Sequence, residues 1–537
     1  MDAGDLHTVE PAWGVDDQAD HGTGLAGLAA YGDLTEALST VDAIRVPHRL
    51  ESVKLVPAEG ANEGDARHHA YLVMEGVARP EIAAPDRARV FTSAVTASDY
   101  RDRGRPSSWS AAVDGLAADA DGAGENPRLF VLSAGNNRDA DAWVTYPDCL
   151  ATNLVHDPGQ AWNAITVGAC TDKIDTQGHP SLNPIAEAGG LSPFTTTTRT
   201  WDRAWPLKPD VVLDGGNAAK DDRGASWMTS LSLLTTHNQP LERLFTTSNA
   251  TSAASALCAG MAARIMAAYP HLRPETVRAL LVHSAQWSES MRGMFLPAVP
   301  NKDHYVNLIR HCGWGAPDLD RALWSAGDSL TLVVEDLVHP YAKVPGKVVT
   351  RDMNLHSLPW PKDELEALQD TPVEMRVTLS YFIEPNPLAR GVTSKYHYPS
   401  HRLRFDVQRP LAMATRSILP IRTGCWAASG GTVARCIRMS GKAQPPTWPA
   451  EDSSRSIRPP GGGGHGLRWS AMPCLRDTAS WSRSRRRRRM WTFTQPWLRR
   501  SLWPTPLPWG HKARSGVPPS GSRAAPRASC RIAAIRL

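Results

Sequence analysis

Along the first 320 residues, short apolar runs alternate with stretches of helical periodicity. Residues 89–95, 129–132, 164–168 and 210–213 are brief aliphatic or β-branched runs, the last three closed at or within three residues by Gly or Asp. That pattern predicts strands buried on both faces, as in a parallel sheet. Between them residues 107–116 carry helical periodicity, and Pro274-Glu275-Thr276 opens another helix with proline in its first turn. Residues 25–30 and 252–263 consist almost wholly of small side chains, and predict helices able to sit close against a sheet. The whole pattern predicts an α/β fold, a parallel sheet with helices on both faces.

The texture changes beyond this region. Residues 329–334 and 373–379 alternate apolar and polar positions, which predicts a small antiparallel β-domain over residues 321–408. After Arg409 no period of 2 or 3.6 persists. Residues 410–537 hold 23 Lys and Arg against 3 Asp and Glu, and eight tryptophans. Their net charge of +20 leaves −15 on the first 409 residues, so the overall +5 describes neither part. Folded domains balance their charges and disordered tails avoid tryptophan. The run Arg485-Arg486-Arg487-Arg488-Arg489 can be read as a nucleic-acid patch. Translation of a GC-rich gene out of frame would yield the same bias toward Arg, Pro, Gly, Ala, Ser and Trp, and accounts for more of it. Residues 409–537 are therefore expected to form a disordered basic tail, and nucleic acid is not expected as a partner of the rest.

Cys149, Cys170, Cys258 and Cys312 are scattered, with no CxxC pair and no histidines at zinc spacing. They suit buried small side chains in a reducing compartment better than a disulfide framework. No metal and no cofactor is expected. No run of eighteen apolar residues and no signal peptide stands out, so a cytoplasmic location is expected.

Three short motifs carry chemistry. Ser252 opens a helix of small residues, where the positive helix end favours developing negative charge; by itself it also fits an ordinary helix cap. His21 precedes Gly22-Thr23-Gly24 and a second small-residue stretch. Asn136 ends the apolar strand in Ser133-Ala134-Gly135-Asn136, where an amide can face an oxyanion or simply form a turn.

Taken together, these motifs resemble those of the subtilisin-like serine peptidases, over about residues 1–300. His21-Gly22-Thr23-Gly24 is similar to the family's histidine motif, Ala134-Gly135-Asn136 to its oxyanion motif, and Ala250-Thr251-Ser252-Ala253-Ala254 to its nucleophile motif. Tyr146-Pro147 with Val167-Gly168-Ala169, Lys208-Pro209-Asp210-Val211-Val212, and Tyr269-Pro270 with Pro274-Glu275-Thr276 fall in the matching order. The resemblance implies a serine endopeptidase acting on peptide or protein substrates. It implies Ser252 as nucleophile, His21 as general base and Asn136 as oxyanion donor. It also aligns residues 90–96 with the strand that pairs with substrate, and puts Ser93 beside the first specificity pocket.

Three departures stand out. Ala250 replaces a glycine, and Ala256 stands where proline is common. The family's aspartate should precede His21, after a buried strand. Residues 1–20 hold Leu6 and Val9 but predict no such strand. Asp2-Ala3-Gly4 is a poor match, and Asp16, Asp17 and Asp20 fall in the loop leading into the histidine helix. The expectation is a truncated catalytic domain over residues 1–320, lacking its first strand and aspartate. The alternative is an inactive pseudo-protease that binds peptides or proteins. No Gly-x-Ser-x-Gly, His-Glu-x-x-His or phosphate-loop motif suggests another chemistry.

Overall fold

The computed structural model describes residues 1–57, 67–98, 103–122, 124–323, 331–352, 354, 356, 372–386, 398–403, 405, 437–442 and 530–536. In chain order the main elements are β1 (Leu6–Thr8), α1 (His21–Tyr31), β2 (Ser52–Lys54), α2 (Arg67–Ala83), β3 (Val90–Ser93), α3 (Ser108–Ala118), β4 (Leu129–Ser133) and β5 (Ile165–Thr171). They are followed by β6 (Val211–Asp214), α4 (Ala250–Ala268), α5 (Pro274–Ser284) and β7 (Pro372–Tyr381).

Strands β3, β4, β5 and β6 lie side by side and parallel, with Val90 opposite Leu129, Val131 opposite Ile165 and Val167 opposite Val211. Side chains alternate across the sheet. Leu129, Val131, Ile165, Val167 and Val211 therefore meet Ala254, Cys258, Ala262 and Ile265 of α4 and Val277 and Leu281 of α5. Phe130 and Leu132 turn the other way, onto Val77 of α2 and Trp109 and Val113 of α3. A continuous apolar run is what a strand covered on both faces requires, and helices do cover both.

Small residues let α4 sit deep. Gly260 faces the Ala29 carbonyl so closely that a β-carbon would collide with it. By length and composition α4 could cross a membrane, but most of it is buried inside the protein. The Lys-Pro-Asp motif resolves into a structural device. Lys208 Nζ donates to Asp210 Oδ2 at 2.7 Å and to the Ala164 carbonyl at 2.9 Å, and Asp210 Oδ2 also accepts the Thr166 N–H at 2.7 Å. Both side chains are fully buried. The pair ties β5 to β6; its bonds to the Ala164 carbonyl and the Thr166 N–H offset part of the cost of burying two charges, while Asp210 Oδ1 stays buried with no hydrogen-bond partner among the described residues.

The expectation that residues 1–20 contain no strand is corrected. β1 pairs in parallel with β2, Leu6 opposite Ser52 and Thr8 opposite Lys54. Three residues are too few to show a period, and the pairing is created by a partner distant in sequence. Among the described residues no backbone ladder joins β2 to β3. Side chains tie their starts instead: Glu51 accepts from Arg89 Nε at 2.6 Å and from Arg87 at 2.5 Å, and Arg87 also reaches Asp5 at 2.6 Å.

Further along, β7 pairs antiparallel with Ile437–Lys442 and with Cys530–Arg536, and the latter also pairs with Thr331–Leu332. These two strands are the described part of the region expected to be a tail; the rest of it, including Arg485–Arg489, lies outside the described residues. β7 docks on α5, where Arg278 donates to Ser380 Oγ at 2.9 Å and to the Tyr381 carbonyl at 2.6 Å.

Candidate active site

The start of α4 is built by its neighbours. Ala250 donates its N–H to the Gly215 carbonyl at 2.6 Å and takes a left-handed φ of 66°. This conformation turns the chain from the strand Phe245–Ser248 into the helix. Two residues on, Ser252 is 4% exposed in the first turn, where unpaired helix N–H groups and the dipole favour an anion.

Thr251 clamps the oxyanion candidate. Its N–H donates to Asn136 Oδ1 at 2.9 Å, and its hydroxyl lies 2.6 Å from the same oxygen, 3.0 Å from the Gly135 carbonyl and 2.7 Å from Ser133 Oγ. With the carbonyl end of the amide engaged, Asn136 Nδ2 is left as a donor, and among the described residues no group accepts from it. The loop beneath is fixed as well. Thr196 Oγ1 donates to the Ala134 carbonyl at 2.8 Å, and Gly135 takes a φ of 92° that suits glycine.

His21 is the first residue of α1 and is exposed. The hairpin of Leu233–Thr236 and Phe245–Ser248 leads into α4 and also pins α1. Thr235 Oγ1 donates to the Gly24 carbonyl at 2.6 Å and Thr236 Oγ1 to the Thr23 carbonyl at 3.1 Å. Leu28 and Ala29 pack with Leu233, Ala253 and Ala256. The histidine helix and the serine helix therefore lie side by side. Among the described residues no hydrogen bond joins His21 to Ser252, and none joins a carboxylate to His21.

His21 is exposed as a residue, yet the protein on one side of its ring desolvates it enough to lower its pKa below the ordinary imidazole range; the Arg138 charge adds to this and the Asp17 charge opposes it. Asp17 accepts the Thr23 N–H at 2.6 Å and the Ala19 N–H at 3.0 Å. Burial works against its charge, but these bonds hold its carboxyl below the usual range. Asp2 lies elsewhere: it is exposed and pairs with Arg49 at 2.5 Å.

Ser93 is the last residue of β3, half-buried and opposite Leu132. Its Oγ is 3.4 Å from the Val95 N–H. The chain beyond it meets a segment that the sequence did not single out. Ala97 and Asp157 exchange backbone hydrogen bonds at 2.9 and 3.0 Å, and Thr96 Oγ1 is 3.4 Å from His156 Nδ1. Burial, then Arg138, takes His156 down to about 4. Thr251 and Ser133 lie inside the Ala250–Ala254 and Ser133–Asn136 motifs and are legible in the sequence; His156 carries no local signal.

The subtilase family model matches residues 2–315. An uncharacterized protein, y4bN, of Sinorhizobium fredii (strain NBRC 101917 / NGR234) is 30% identical over 370 residues, covering 61% of this chain and 75% of that protein. Among solved structures, a lanthipeptide protease is 18% identical with a TM-score of 0.34, covering 57% of this chain and 75% of its own. An S41 psychrophilic protease is 20% identical with a TM-score of 0.33, covering 50% and 71%. A family match spanning more than half of the sequence settles the relationship: the chain belongs to the subtilase family of peptidases.

Proposed function

We propose that the chain is a serine endopeptidase in which Ser252 attacks the scissile carbonyl, His21 takes and returns the proton, and Asn136 Nδ2 with the Ser252 N–H holds the oxyanion. The observation that carries this reading is the Thr251 clamp on Asn136 Oδ1. It engages the amide's oxygen from the residue next to the serine and leaves the donor end unengaged, and it is set before any substrate arrives, which is the condition for electrostatic preorganisation. A lowered His21 pKa keeps the ring neutral and able to accept a proton at neutral pH. Extended peptide would add along residues 93–96 by strand pairing.

The weak point of this machinery is the imidazolium formed after proton transfer. No described carboxylate hydrogen-bonds to His21, and Asp17 acts on it only through space. In subtilisin itself, loss of the triad aspartate alone slows turnover by about 3 × 10⁴. The chain as it stands should therefore turn over slowly, and the same observation favours the second reading, a pseudo-protease that holds peptides without cutting them. Fluorophosphonate labelling separates the two. Slow covalent labelling that disappears in Ser252→Ala and falls in His21→Ala supports the enzyme. Labelling as fast as that of subtilisin would show that a carboxylate does support His21, and no labelling at all would leave the binding module.

A further inference from the structure

We infer that Asp20 is a positioning residue, clasped by the hairpin that leads into α4 so that His21 is held in place relative to Ser252. This rests on the assignment of His21 as the base above. Among the described residues no side chain bonds to the His21 ring. The ring is therefore placed by its own backbone at the start of α1, and Asp20 is the residue that turns the chain into that helix. Asp20 is unusual there in two ways. It takes a left-handed φ of 63°, which is disfavoured for a residue with a β-carbon. An aspartate in this position ordinarily caps its helix by accepting an N–H of the first turn, yet the Asp20 side chain makes no such bond. Asp17 does that work instead, accepting the Thr23 N–H at 2.6 Å.

The Asp20 carboxylate goes to the hairpin. Asn238 donates its N–H to Asp20 Oδ1 at 2.8 Å and its Nδ2 to the Asp17 carbonyl at 2.9 Å. His237 accepts the Gln239 N–H on Nδ1 at 3.1 Å, so the proton of the neutral ring sits on Nε2, which faces Asp20 Oδ2 at 3.5 Å. The His237 side chain is 8% exposed, so its packing keeps the ring in that orientation. Thr235 and Thr236 hold the Gly24 and Thr23 carbonyls. The hairpin thus grips the chain on both sides of His21, at residues 17 and 20 before it and 23 and 24 after it. Its second strand, Phe245–Ser248, runs on into α4, with Ser252 in the first turn. One short segment therefore carries both the nucleophile and the fixings of the base. A strained residue persists where its surroundings over-determine it, and these surroundings do so immediately before the residue that moves the proton. Releasing the carboxylate lets the Asp20 backbone relax, and the His21 ring shifts with it.

Fluorophosphonate labelling of Ser252 is timed in the full chain and in Asp20→Ala, Asp20→Asn and Asp20→Gly. Asp20→Ala should label about 10²-fold more slowly, the scale of a misplacement of about 1 Å. Asp20→Asn keeps an oxygen for the Asn238 N–H and tolerates the left-handed turn, so it should recover most of the native rate. Asp20→Gly relieves the backbone but offers no acceptor, and should stay slow. The deciding comparison is the double-mutant cycle with His21→Ala. If Asp20 acts through His21, adding Asp20→Ala to His21→Ala leaves the residual labelling rate unchanged. Equal slowing in that background would mean that Asp20 serves only the fold. That result, a fast Asp20→Gly or a slow Asp20→Asn overturns the inference while the base assignment stands. Labelling that His21→Ala does not slow fails the base assignment itself and takes this inference with it.

Discussion

Ala250 shows how one residue can work against its own position. The turn into α4 needs a φ of 66°, which costs a residue with a β-carbon about 1–2 kcal/mol. Ala250→Gly should therefore raise unfolding stability by about 1 kcal/mol after the entropy lost in the flexible chain is deducted; denaturant titration reads this directly. On the proposed role of Asn136 as oxyanion donor, Asn136→Ala should slow labelling of Ser252 by about 10²–10³-fold, the loss seen for the oxyanion asparagine of subtilisin, with little change in peptide affinity. Asp214 gives the pH dependence. Burial carries it from 3.8 to about 6; the Gly216 N–H and Lys173 pull it back, and the Asp33 and Asp172 charges push it up. The folded state thus holds this proton more tightly than the unfolded one. Its stabilising contribution is complete below about 3.8 and is lost as pH rises through about 6. At pH 7 the enclosed carboxylate costs roughly 1–3 kcal/mol. Asp214→Asn should raise Tm at pH 7 and leave it unchanged at pH 4.

At the scale of elements, the sheet divides into well-supported and poorly supported strands. β4 and β5 have a parallel neighbour on each side, while β1 and β2 form a two-stranded sheet with three paired residues. Such a pair is marginal alone and depends on the helix packed over it. Amide exchange should find Val131 and Val167 protected to the level of global unfolding, and Leu6 to Thr8 exchanging far faster; equal protection would mean that β1 is part of the central cooperative unit. The predicted strands at 129–132, 164–168 and 210–213 were legible because a strand buried on both faces needs an unbroken apolar run. β1 was not, because a three-residue strand is defined by its partner.

For the whole molecule, the instructive contact joins the parallel α/β core to the β7 region. Arg278 is fully buried and donates to the Trp162 and Asn163 carbonyls at 3.3 and 2.6 Å as well as to Ser380 and Tyr381. Asn163 in turn exchanges two hydrogen bonds with Ile383, at 2.7 and 2.8 Å, and Tyr398 donates to Asp114 at 2.6 Å. A chain ended at residue 320 would strip a buried guanidinium of two of its acceptors, a loss on the order of 3–5 kcal/mol for a charge left underpaired. That fragment should fail to fold, seen as absent near-UV circular dichroism; a cooperative unfolding transition from it would show that the β7 region is dispensable.

Local pattern determined the parallel α/β core, the helices of small residues and the motifs around His21, Asn136 and Ser252, because each follows from a period or a spacing within a few residues. Tertiary structure decided the rest. The strand status of Leu6 to Thr8, the buried Lys208–Asp210 pair, the Thr251 clamp on Asn136 and the place of His156 against Gly135 and Thr96 all depend on groups far apart in the chain. Such contacts leave no local signature, since what each residue does is set by the neighbour that folding delivers.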